Sequence, residues 1–114
     1  MPGSTMDQPL YVLKAELFKA LGHPARIRTL ELLVEGDEPV SNLLAETGLE
    51  ASTLSQHLTI LKRIGLVESS RTGNAVTYRL TDPSVGQFLT AARSVLASTL
   101  GRTRRTLEEL EEQE

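Results

Sequence analysis

Residues 41–80 place, in order, a short helix-length segment, a glycine, a longer helix-length segment, and two strand-like runs around a Gly-Asn pair. Ser41 suits the N-cap of a brief helix through Leu43, Leu44 and Thr47, which Gly48 closes. The next helix starts near Ala51 and runs to about Arg63. Its Leu54, Leu58 and Leu61 recur at spacings of four and three and turn one face inward, and Gly65 ends it. Residues 66–70 and 75–80 read as strands. Arg71-Thr72-Gly73-Asn74 reads as the turn between them, because Gly and Asn tolerate the positive φ of a hairpin turn. A short helix, a tight connection and a longer helix with a polar outer face form a helix-turn-helix plan, and the hairpin supplies a wing.

The flanking sequence is helical by the same criteria. Pro9 suits the first turn of a helix over residues 9–21, where Leu10, Leu13, Leu17 and Leu21, with Phe18, follow at helical spacing. Gly22-His23-Pro24 breaks it, and Pro24 opens a second helix. That helix carries a stripe of Ile27, Leu30 and Val34 beside Leu33 and stops at Gly36. Pro39-Val40 reads as a short extended piece. Asp82-Pro83 starts the last and longest helix. There Val85, Leu89, Ala92, Leu96, Thr99, Thr103, Thr106 and Leu110 alternate in steps of four and three, the pattern of a long buried seam. Thr99, Gly101 and Thr103 weaken its middle, so support is least beyond Leu100. The fold class expected is mainly α with a small β-hairpin: a five-helix winged helix-turn-helix.

Composition excludes several functions. With 114 residues the chain can build one core, and with 4% aromatic residues that core must be mainly Leu, Val, Ile and Ala. No cysteine is present, which removes disulfides, thiolate metal sites and thiol redox sensing. No apolar run approaches the roughly 20 residues of a membrane span. The first residues lack the basic and apolar regions of a signal peptide, so a cytoplasmic location without a membrane partner is expected. Ser55 and His57 stand two apart on a helix and cannot face each other as nucleophile and base, and no phosphate loop or carboxylate pair stands out. An enzyme is not expected.

The net charge of −3 is unevenly spread. Residues 1–50 carry four basic and eight acidic groups, a balance of −4. Residues 51–81 carry Lys62, Arg63, Arg71 and Arg79 against Glu68 alone, a balance of +3. That electropositive segment coincides with the helix-turn-helix and hairpin. In such a motif the second helix enters the major groove of DNA, its N-terminal part toward the base edges. The outward positions there are Ser52, Thr53, Ser55, Gln56 and Thr59. Gln56 can pair bidentately with adenine, and Ser and Thr can serve several bases. Lys62, Arg63, Arg71 and Asn74 suit phosphate or minor-groove contact. His57 is a candidate for DNA contact or, equally, for structural support beneath the helix. A winged helix that docks onto another protein is the rival reading, but such a module would show an apolar or acidic face at these positions.

Leu21-Gly22-His23-Pro24-Ala25-Arg26-Ile27-Arg28-Thr29-Leu30, then residues 52–61, then Lys62-Arg63-Ile64-Gly65-Leu66-Val67, resembles the ArsR family of bacterial winged-helix regulators. Arg71, Gly73, Asn74 and Tyr78 of the hairpin fit as well, and the likeness covers about residues 9–82. It implies a homodimer through the first and last helices, binding a pseudo-palindromic double-stranded DNA operator and usually repressing. Residues 1–8 are then a flexible leading segment and residues 9–114 one DNA-binding and dimerisation domain. The family's thiolate metal site would fall where this chain has Pro39-Val40-Ser41, and its last-helix site needs histidines that residues 83–114 lack. Sulfur-ligated arsenite, cadmium or lead is therefore not expected. His23, Asp7, Glu16 and the acidic end, residues 108–114, offer nitrogen and oxygen ligands that would suit nickel (Ni2+), zinc (Zn2+) or cobalt. The plainer reading makes His23 a capping or packing residue and the acidic end a solvated helix terminus. An effector-independent regulator stands beside the metal-responsive one.

Overall fold

The computed structural model describes residues 8–113; Asp7 and the rest of the leading segment before Gln8 lie outside them. Two compact units are distinguished, one up to Asp82 and one from Pro83 onward.

In the first unit, helices α1 (Leu10–Leu21) and α2 (Pro24–Glu35) come first, followed by the short strand β1 (Glu38–Pro39) and helices α3 (Val40–Thr47) and α4 (Ala51–Arg63). Strands β2 (Val67–Thr72) and β3 (Ala75–Leu80) complete it. Pro9 caps α1 rather than lying in its first turn: its extended ψ of 148° leaves its carbonyl to accept from Val12 and Leu13. Pro24 occupies the start of α2, as its fixed φ and missing N–H favour. Helix α3 starts two residues earlier than the sequence suggests. Val40 is already helical, and the cap is Pro39 rather than Ser41. Pro39 is extended (φ −69°, ψ 151°) and pairs with Thr77 at the sheet edge, where a residue without an N–H is tolerated. The Asn42 side-chain amide donates to the Glu38 carboxylate and ties the strand to the helix.

The sheet is antiparallel with order β1-β3-β2, so β3 is central. Register runs from Val67 opposite Leu80 to Thr72 opposite Ala75. Arg71 and Thr72 belong to the strand, and the connection is the two residues Gly73-Asn74 instead of the four expected. Positive φ falls on Gly73 alone, at +61°, the first turn position, which a II′-type hairpin reserves for glycine. Side chains of Leu30, Leu43, Leu54 and Leu61 are fully buried, with Leu33, Leu58 and Val67 almost so. This leucine-rich core joins α2, α3, α4 and the sheet. Val34, expected in the α2 stripe, is 46% exposed; burial follows Leu30 and Leu33 instead.

The second unit is one helix, α5 (Ser84–Glu112), 29 residues without a break through Gly101. Leu96, Leu100, Leu107 and Leu110 are all more than half exposed. With Thr103 they repeat in steps of four and three, a second series beside the one through Thr99 and Thr106, and all of these positions are exposed. Among the described residues no helix is long and apolar enough to cross a membrane.

Candidate nucleic-acid interface

The geometry of the α3–α4 pair follows from its short link, residues 48–50. Gly48 adopts the left-handed conformation (φ +69°), and its N–H donates to Leu44 O at 2.9 Å, closing α3. Thr47 fixes the turn from inside: its hydroxyl donates to Leu43 O at 2.7 Å and accepts from the Leu49 N–H at 3.3 Å. Leu54 N–H then donates to Glu50 O at 3.0 Å and begins α4.

Helix α4 has two distinct faces. Leu54, His57, Leu58 and Leu61 are buried. Ser52, Ser55, Gln56, Thr59, Lys62 and Arg63 are exposed, and Thr53 is half-buried. Ser55, Gln56, Thr59 and Arg63, with Ile60, line a shallow cleft of about 380 Å³. The Thr59 hydroxyl donates to Ser55 O at 2.8 Å. Among the described residues the side chains of Ser52, Ser55 and Gln56 have no hydrogen-bond partner, so their donors and acceptors are available outward.

The wing is braced against this helix. Lys62 Nζ donates to Ser69 Oγ at 3.0 Å, joining the end of α4 to β2. Thr81, just past β3, donates through its N–H to Leu66 O (3.1 Å) and through its hydroxyl to Gly65 O (2.6 Å). Arg79 pairs with Glu68 at 2.8 Å and reaches Ser70 Oγ at 3.3 Å. The +3 balance of this segment therefore resides in Lys62, Arg63 and Arg71. Arg71 and Asn74 are exposed at the hairpin end.

His57 lies on the opposite side of α4 from these outward residues, 8% exposed. Arg26 Nε–H donates to His57 Nδ1 at 3.2 Å, and Arg26 Nη1–H donates to Ala20 O at 2.8 Å. The His23 ring stands 4.4 Å from that of His57, tilted by 50°. Burial, then the nearby His23 and Arg26, lower the His57 pKa below its ordinary value, which keeps Nδ1 free to accept. His23 itself caps α2, its Nδ1 accepting from the Ala25 N–H at 3.1 Å. Glu16 and His23 line one cleft, while Asp7 lies outside the described residues. Among the described residues no group of three or more His, Cys, Asp or Glu side chains could hold a metal ion.

Two residues outside the candidate set matter here. Arg26, 31 positions before His57, joins the α1–α2 corner to α4, and Lys19 stands near it in the last turn of α1. Neither carries a local sequence signal, since both belong to the segment with a balance of −4. The Leu21-Gly22-His23-Pro24-Ala25-Arg26 string was the one available hint, and only through resemblance.

Residues 23–69 match the family model described as "Bacterial regulatory protein, arsR family". Over 105 residues the chain is 52% identical to Rv0081, an HTH-type transcriptional regulator of Mycobacterium tuberculosis, covering 91% of this chain and 92% of that one. The Rv0081 crystal structure superposes with a TM-score of 0.79 over 85% of this chain and 98% of the other. The solution structure of Mb0332 from Mycobacterium bovis, described as a homodimeric winged helix-turn-helix DNA-binding domain, is 31% identical with a TM-score of 0.75. It covers 90% of this chain and 95% of that one. A biofilm growth-associated repressor of Xylella fastidiosa is 36% identical over 84 residues, 74% of either chain. With α3, α4 and the β2–β3 wing in place, and with relatives that regulate transcription rather than catalyse reactions, the chain belongs to the ArsR family and is a transcriptional regulator with a DNA-binding winged helix-turn-helix.

Proposed function

We propose that this regulator binds a pseudo-palindromic operator as a homodimer and represses transcription in the bacterial cytoplasm. One observation carries the reading: the unsatisfied polar face of α4 adjoins the three uncompensated cations Lys62, Arg63 and Arg71. In this reading Ser52, Thr53, Ser55, Gln56 and Thr59 meet base edges, and Lys62, Arg63, Arg71 and Asn74 meet the backbone. His57 supports the helix from beneath. A protein-docking module would show an apolar or acidic face there, whereas the exposed residues of α4 from Ser52 to Arg63 are polar or basic.

Mobility-shift titrations on the DNA upstream of its own gene test this. Gln56→Ala is expected to relax preference at one base pair, costing about 1–3 kcal/mol on the preferred operator only. Arg71→Ala is expected to weaken binding to every duplex alike and to reduce the salt slope by about one. Equal losses on all duplexes for Gln56→Ala would remove its base-reading role, and no shift at low salt by the intact protein would sink the proposal.

The dimer is inferred to involve the first and last helices, so that residues 9–114 act as one DNA-binding and dimerisation domain. Leu10 and Tyr11 on α1, and Val95, Leu96, Leu100, Leu107 and Leu110 on α5, all leave more than half their surface exposed. Such apolar surface is what a permanent partner covers. The homodimeric Mb0332 domain supports dimerisation as such. Light scattering at micromolar concentration is expected to return twice the chain mass of 12.5 kDa. Recovery of the monomer mass would contradict it.

A further inference from the structure

A second cleft, of about 480 Å³, opens between the α1–α2 corner and the end of α4. Lys19, His23, Arg26, Ile60 and Arg63 line it, with Glu16 as the one acidic side chain. Arg26 is held rigidly, because two of its five N–H donors are spent on His57 and Ala20. Its remaining donors have no partner among the described residues. Lys19 and Arg63 have no side-chain hydrogen-bond or ion-pair partner among the described residues. The α2 backbone contributes little directly: the Ala25 N–H is taken by His23 Nδ1, and those of Arg26 and Ile27 by His23 O. The cations of the side chains therefore set the character of this cleft, and their surplus over Glu16 calls for an oxyanion.

Position decides which oxyanion. Ile60 and Arg63 belong both to this cleft and to the shallow one beside Ser55, Gln56 and Thr59. An anion held between Lys19, Arg26 and Arg63 thus sits next to the face proposed to read bases. We propose that this cleft takes a backbone phosphate of the DNA duplex that α4 reads, giving each protomer a third anchor besides the reading helix and the wing. Lys19 and Arg26 are its distinguishing residues. Lys19 supplies a mobile point charge, and Arg26 a fixed planar donor. The inference rests on the DNA-binding reading above.

The test uses the full chain and DNA upstream of its gene, with affinity followed over a salt series. Lys19→Gln, at an exposed position, is expected to weaken operator and unrelated duplexes alike by about tenfold, the scale of one charge-assisted hydrogen bond. It is also expected to lower the salt slope by about one, while Lys19→Arg keeps wild-type values. A thermal melt equal to wild type confirms that the loss is not unfolding. Wild-type affinity and slope in Lys19→Gln, alongside a weakened Arg71→Gln, would overturn the phosphate anchor and leave the DNA reading standing. Absence of any shift by the wild-type protein removes both. Inorganic phosphate provides the second arm, titrated calorimetrically at constant ionic strength. No saturable heat is expected; saturable heat lost in Lys19→Gln, with the DNA slope unchanged, would reassign the cleft to a free oxyanion.

Discussion

Leu54→Ala is expected to lower the unfolding free energy by about 2–5 kcal/mol, the usual cost of emptying a fully buried leucine site. Leu54 is 0% exposed near the start of α4, where its side chain packs that helix into the core. A small domain has only about 5–15 kcal/mol in total, so this single truncation consumes a large part of the margin. The melting temperature should fall by about 10 °C or more. DNA binding should fall with it, but only as the folded fraction falls. At low temperature the variant should regain operator preference, which distinguishes it from Gln56→Ala. Urea denaturation followed by circular dichroism reads the effect. A loss under 1 kcal/mol would mean that α4 is held by something other than its leucine face.

Arg26→Met ranks second. It keeps most of the side-chain volume and removes both hydrogen bonds, the one to His57 Nδ1 and the one to Ala20 O. Hydrogen bonds from a charged donor contribute about 1.5–3 kcal/mol each, and half-burial reduces that, so a combined loss of about 2–4 kcal/mol is expected. The same cluster sets a pH dependence. His57 has a lowered pKa in the folded chain, whereas its unfolded value is about 6.5. Above about pH 6.5 the imidazole is neutral in both states, and pH has no leverage through it. As pH falls below that value the unfolded chain takes up a proton that the folded chain resists, so stability declines until the folded pKa is passed. Protonation would also turn Nδ1 into a donor facing the Arg26 N–H. Urea midpoints between pH 7.5 and about 5 should therefore fall in the wild type and flatten in His57→Gln. An equal decline in His57→Gln would assign the effect to another group.

The parts of this fold that were legible in the sequence are those specified by local chemistry. Leu54, Leu58 and Leu61 at helical spacing define α4 from Ala51 to Arg63, and Gly48 marks the end of α3 through a conformation that only glycine adopts cheaply. The β3 run, Ala75–Leu80, stands out by its β-branched and aromatic residues. Boundaries blurred where one residue satisfies two roles. Pro39 fits both a strand edge and a helix cap, and Arg71-Thr72 look like turn residues although β3 extends far enough to pair them. On α5 two four-three series share Leu96, Thr103 and Leu110, one completed by Thr99 and Thr106 and the other by Leu100 and Leu107, and every one of these positions is exposed. Long-range placement was the least legible. Nothing near Arg26 indicates an acceptor 31 residues away, and counting charge by segment assigned Lys19 and Arg26 to an acidic stretch although space sets them beside Arg63. Proximity in three dimensions, not along the chain, makes that cleft basic.

The bonds from Lys62 to Ser69 and from Thr81 to Gly65 and Leu66 make the end of α4 and the base of the hairpin one stiff piece. In the proposed binding mode a protomer so braced would act as a fixed gauge, with the distance between α4 and the hairpin set before DNA arrives. Little ordering entropy is then spent within the protomer on docking. The corollary concerns the DNA: a site whose groove dimensions do not match the gauge must itself bend or twist to fit, at an energy that depends on the bases being deformed. In that mode, base pairs that no side chain touches would influence which promoters are occupied.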